Sequence, residues 1–328
     1  MIVTLAGGVG AARMLGGLVQ VVEPRELTAV VNVGDDLVLH GLHISPDIDT
    51  VTYTLAGAIN AETGWGLTEE TWQARSMLER YGGVSWFGLG DRDLGTHLYR
   101  TQRLAEGADL ATVTDEIARA WELALRIVPV TCDPLRTMIT LAADDDAAAA
   151  LGAEALPAGS EIGFQEYFVQ RRHSVPVASL RVDGAKRARP APGVLEALGA
   201  AQAVVIAPSN PLVSIGPLLA VPGVREAVAA RRASVVAVSP IVAGAALKGP
   251  ADRLMAELGH EASVVGVARL YAGLADTLVV DEADADRADA VEAEGLRCVV
   301  TPTIMRSPEA AAALARTTLA AVGVSTTS

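Results

Sequence analysis

The chain has 328 residues, 51 % apolar and 20 % charged, which excludes a disordered polymer and suits one large folded domain or two modest ones. A formal net charge of −13 repels a phosphate backbone and argues against nucleic acid as a partner, although backbone dipoles or a metal ion can still hold a small phosphorylated ligand. Cys132 and Cys298 form no CxxC pair, Met1 opens onto an apolar run without a basic leader, and no apolar stretch is long enough for a bilayer, so the expectation is a cytoplasmic protein with no membrane partner.

Residues 2–6 are a short apolar run that stops at Gly7-Gly8-Val9-Gly10. Residues 11–22 follow with Leu15, Leu18 and Val22 on one helical face, and residues 27–33 form a second β-rich run that leads into Gly34-Asp35-Asp36. Strand, glycine turn, helix and strand open a parallel α/β sheet. Helices are expected over 48–60 and 68–81, a strand over 84–89 and an amphipathic helix over 110–125. Residues 126–130 and 136–141 pattern as short strands around the loop 131–134, and the Asp/Ala/Gly-rich stretch 144–160 as an exposed boundary. Residues 201–206, 234–238, 264–268 and 277–280 continue the strand series, 298–300 closes it, and 308–322 is an Ala-rich helix. The fold class is α/β: a Rossmann-like, mostly parallel sheet with helices on both faces, one domain over 1–328, and a smaller accessory region at about 130–200.

Several of these strands end in glycine, Asp, Ser or Asn, and ligands of open parallel sheets bind outside the carboxyl ends of the strands. The glycine turn lets backbone approach a phosphate, with a helix N-terminus behind it, and makes Gly8 and Gly10 candidate binding positions. It is no P-loop, since no Gly-Lys-Ser/Thr follows, and a poor dinucleotide fingerprint, since Arg13 replaces the third glycine and Asn32 stands where a ribose-binding acid belongs. The stretch from Asn32 to Tyr53 carries Asp35, Asp36, His40, His43, Asp47 and Asp49. Carboxylates beside a phosphate loop suggest Mg²⁺, which takes a few carboxylates, keeps waters and bridges to substrate phosphates. Asp47 and Asp49 point the same way if the chain is extended there; alternatively Asp49 caps a helix that starts near Thr50. Arg92, within Gly90–His97, and the Ser209-Asn210 and Ser239 turns are further strand-end candidates. Trp86 and Phe87 are expected mainly to pack into the core.

Taken in order, LAGGVGAAR (5–13), NVGDD (32–36), HGLHISPDIDTVTYTLAG (40–57), WFGLGDRDLGTHLYRT (86–101), TCDP (131–134), FQEYFVQRR (164–172), APSNPLVSIGP (207–217) and VSPIVAGAALKGPA (238–251) give nearly the whole chain a shared pattern. It resembles the 2-phospho-L-lactate transferase family (CofD), in particular its actinobacterial branch. The resemblance implies a Mg²⁺-dependent, homodimeric enzyme that joins the deazaflavin precursor Fo to a guanylyl-activated phosphoenolpyruvate or phospholactate and releases GMP. The enolpyruvyl donor would give dehydro coenzyme F-420-0. It further implies that Asp49 and Arg92 contact Fo. On this reading Asp36 and Asp49 hold the metal and serve catalysis, with Asp49 orienting or deprotonating the attacking hydroxyl. Gly8, Gly10, Asn32, His40, Ser209, Asn210 and Ser239 line the substrates. A YvcK-like nucleotide-sugar-binding regulator is the alternative that shares the glycine loop and the acidic turn.

Overall fold

In the computed structural model, which describes residues 1–326, seven parallel strands form the central sheet. In chain order they are β1 (Ile2–Ala6), β2 (Leu27–Val31), β3 (Arg126–Pro129), β4 (Ala203–Ile206), β5 (Val235–Val238), β6 (Thr277–Val280) and β7 (Arg297–Val300). Across the sheet the order is β7-β6-β5-β4-β1-β2-β3. β1, β2, β4, β5 and β6 are buried at every position, which is why they appear as unbroken apolar runs and not as alternating ones. Covered by helices, these strands bury the main aliphatic core.

β1 pairs with β2 on one side, Ile2 opposite Leu27, and with β4 on the other, Ile2 opposite Ala203. The chain therefore winds outward in both directions from β1, and the switch point lies between β1 and β4. Helix α1 (Gly8–Leu18) leaves β1 and packs between α2 (Pro46–Leu55) and the C-terminal helix Pro308–Ala320. α2 begins with Pro46 in its first turn, two residues ahead of the expected start, because proline suits a position whose N–H needs no partner.

Between β3 and β4 the chain leaves the sheet. It builds a three-stranded antiparallel sheet from Arg136–Leu141, flanked by Glu161–Gly163 and Val177–Asp183, with a small core of its own around Ile139, Phe164 and Tyr167. Two expectations fail. Residues 264–268 are not a strand but lie in the helix Val264–Tyr271, capped by Ser263; an apolar segment buried on most sides looks the same in either conformation. Residues 84–89 form no strand either, and they leave Trp86 and Phe87 half-buried. Among the described residues no single helix is long and apolar enough to cross a membrane.

Candidate active site

β2 ends at Val31, and the turn that begins at Asn32 organises the crevice. Asn32 is fully buried; its Oδ1 accepts from the Gly34 N–H at 2.8 Å and its Nδ2 donates to Asp47 Oδ2 at 2.9 Å. The other oxygen of Asp47 accepts from the Gly8 N–H at 2.8 Å. A carboxylate from α2 thus sits at the positive end of α1, where a ligand phosphate was expected. Gly8 adopts φ +72°, a left-handed conformation that favours glycine. Gly10 serves contact: a Cβ there would lie 2.3 Å from the Pro208 carbonyl oxygen.

Three carboxyls share this turn. Burial raises Asp47 to about 6 against the pull of its bonds to Asn32 and Gly8. Burial, then repulsion from Asp47 and Asp36, pushes Asp35 well above the usual carboxylate range. Asp36 is raised well above it too, again by burial, although Ser45 Oγ donates to its Oδ2 at 2.7 Å. One oxygen of each, Asp35 Oδ1 and Asp36 Oδ1, is covered and has no hydrogen-bond partner. Adjacent buried carboxyls with orphaned oxygens and raised pKa values are what a cation would relieve. Among the described residues no group of three or more His, Cys, Asp or Glu side chains is arranged to hold a metal ion by itself.

Asp49 faces elsewhere. It lies in the first turn of α2, and two positions apart on a helix turns a side chain by roughly 200°, so Asp47 reaches α1 while Asp49 reaches α3 (Asp93–Ala105). The extended-chain expectation is thereby corrected, as is the cap near Thr50. Both oxygens of Asp49 are taken by Arg100, whose side chain is 1 % exposed. The same guanidinium donates to the His43 carbonyl at 3.3 Å and to His97 Nδ1 at 3.2 Å. With Nδ1 accepting, the His97 proton belongs on Nε2, which lies 3.2 Å from Asp93 Oδ2. The Tyr53 hydroxyl donates to Asp93 Oδ1 at 2.6 Å. Burial alone would raise Asp93; its close contacts with His97 and the Tyr53 hydroxyl hold it below the usual value. In this arrangement Asp49 is 5 % exposed and both of its oxygens are engaged by Arg100.

The other expected residues divide. Ser209 is buried and its Oγ donates to the Gly7 carbonyl at 2.7 Å, closing the switch point between β1 and β4. Asn210 caps the turn behind it, accepting from Leu212 and Val213. Ser239 is spent locally, with its hydroxyl 3.0 Å from the Ile241 carbonyl. His40 is exposed at the tip of the Leu37–Leu39/Leu42–Ile44 hairpin, and Arg92 is exposed and donates to the Thr68 carbonyl; neither contacts the acidic turn. The strand-end argument for Arg92 falls with the missing strand at 84–89.

Beside Asp35 and Asp36 opens a cleft of about 90 Å³, which Trp86, Arg136, Phe164 and Glu166 also line. Arg136 and the Arg100–His97–Asp93 chain were not anticipated. The second had a signal: Asp93, His97 and Arg100 recur at the i, i+4 and i, i+3 spacings of one helical face.

Comparison with known proteins then gives the relationships. The family described as "2-phospho-L-lactate transferase CofD" matches residues 2–312. Proteins named phosphoenolpyruvate transferase are 46 % identical over 97 % of both chains in Streptomyces griseus and 40 % identical over 99 % of both in Mycolicibacterium smegmatis. A crystal structure of a UPF0052 family protein from Bacillus halodurans superposes with a TM-score of 0.60 at 16 % identity, covering 97 % of this chain and 98 % of that one, a likeness of fold alone.

Proposed function

The chain belongs to the CofD family of 2-phospho-L-lactate transferases, enzymes of coenzyme F-420 biosynthesis, and from that premise we propose that it joins Fo to the phosphoenolpyruvyl group of a guanylyl-activated donor. The observation that carries the reading is the pair Asp35 and Asp36, each with an orphaned oxygen, beside the switch point of a parallel sheet. The enolpyruvyl form of the donor follows the relatives, which are named phosphoenolpyruvate transferases. A homodimer, implied by the resemblance, is part of the same proposal.

In this reaction the terminal ribityl hydroxyl of Fo attacks the phosphorus that bears the three-carbon acid. An O–P bond forms, the bridging P–O bond breaks, GMP leaves, and the hydroxyl proton passes to a base. Such transfers need alignment and charge neutralisation more than covalent help. Asp35 and Asp36 are the residues that would hold Mg²⁺, which neutralises phosphate charge when bound. Asp47 holds the glycine turn to α2 and Ser209 holds it to the loop after β4, so both fix the backbone that walls the crevice. Asp49 acts through Arg100, which keeps the Asn32–Tyr53 segment against α3.

The test is incubation of the protein with Fo, the guanylyl-activated acid and Mg²⁺. GMP and a new deazaflavin product are expected; their joint absence would sink the enzyme reading. Saturable nucleotide-sugar binding without turnover would favour the YvcK-like alternative.

A further inference from the structure

The transferred group carries a carboxylate, and the cleft beside Asp35 and Asp36 is otherwise hostile to one. We infer that Arg136 is the residue that binds the carboxylate of the three-carbon acid; this rests on the transferase reading above. Among the described residues the Arg136 guanidinium makes no hydrogen bond and no ion pair, although acids stand close by. Asp183, its partner across the antiparallel register, is taken by Arg181 at 2.6 Å. Glu166, which lines the same cleft, is taken by Arg171 at 3.1 Å. With both of these acids engaged by other arginines, the exposed guanidinium of Arg136 is open to a ligand in the cleft it lines.

Its placement is fixed by backbone. The next residue, Thr137, donates its N–H to the Gly34 carbonyl at 2.6 Å, so the strand that carries Arg136 is pinned to the turn that carries Asp35. Gly163 lies against the guanidinium; a Cβ there would stand 2.8 Å from Nη2 and 3.1 Å from Nε. The guanidinium thus rests over the Gly163 backbone, and Trp86 lines the same cleft. A planar fork of donors matches a carboxylate in two-point fashion, which an ammonium cannot do. The cation site and the carboxylate site then lie in one cleft, one for the phosphate and one for the acid.

The test uses two donors: guanylyl-activated phosphoenolpyruvate and its isopropenyl counterpart, in which a methyl group replaces the carboxylate. Wild-type protein should prefer the acid donor by about 10- to 100-fold in kcat/KM. Arg136→Gln should lose a similar factor on the acid donor, mostly through KM, and stay within about threefold of wild type on the isopropenyl donor. Arg136→Lys should recover part of the preference. The proposal is overturned if Arg136→Gln keeps the wild-type preference or loses equally on both donors. A wild-type protein that turns over neither donor defeats the transferase reading itself, and this inference with it.

Discussion

Asp49 offers two oxygens and Arg100 takes both, in a place where neither charge reaches water. Removing one member strands the other, and an uncompensated buried charge costs about 3–5 kcal/mol. Asp49→Ala and Arg100→Ala should therefore each lower unfolding stability by about that amount in denaturant titration, while the double variant loses clearly less than the sum. Full additivity would mean that the pair is not coupled. A drop in turnover of Asp49→Ala is consequently ambiguous by itself, and the comparison with the double variant removes the ambiguity. The carboxylates of this region were visible in the sequence because acids clustered beside a glycine turn are conspicuous. Their division of labour was not visible. It depends on the helical start at Pro46, which turns Asp47 and Asp49 apart, and on Arg100, which lies 51 residues beyond Asp49.

At the level of elements, the glycine turn joins β1 to α1 and meets the loop after β4. Gly10→Ala would drive a methyl group into the Pro208 carbonyl, and a rigid backbone neighbour cannot give way cheaply. A loss of about 1–3 kcal/mol is expected by thermal or denaturant unfolding; a neutral variant would show that α1 can slide. Most strands of the sheet were legible as apolar runs, since strands buried on both faces show no alternation. The same property misled at 264–268, where a buried helix carries an equally apolar string. Residues 84–89 misled for the opposite reason. Their aromatic content has β character, but Trp86 is used to wall a cleft and pairs with no strand.

For the molecule as a whole, the raised carboxyls of the acidic turn make stability depend on pH, and a cation held at the proposed Asp35–Asp36 site would tie that dependence to Mg²⁺. Folded Asp35, Asp36 and Asp47 all have raised pKa values, so in metal-free protein their contribution is greatest at low pH and is lost as pH rises, through about 6 for Asp47. A cation binds only the deprotonated cluster. The Tm increase given by Mg²⁺ should accordingly be largest at high pH and shrink as pH falls and Asp35 and Asp36 take up protons, and it should vanish in Asp35→Asn/Asp36→Asn. A pH-independent increase would place the ion elsewhere. The accessory region was expected at about 130–200, but its use was not, because Arg136 looks like any strand-end arginine until Thr137 is seen bonded to Gly34.

The bond from Ser209 to the Gly7 carbonyl joins residues 202 apart in sequence, and β1 lies between a strand nearby in the chain and one equally distant. During synthesis, β1 and β2 are made early and must wait with an open edge until β4 emerges. Parallel pairings of such separation form slowly, and an unfilled edge recruits other chains. The crevice is hence among the last features to come into being. Refolding followed by Mg²⁺ affinity should lag behind refolding followed by helical content, and crowding by nascent copies should be most damaging in that interval.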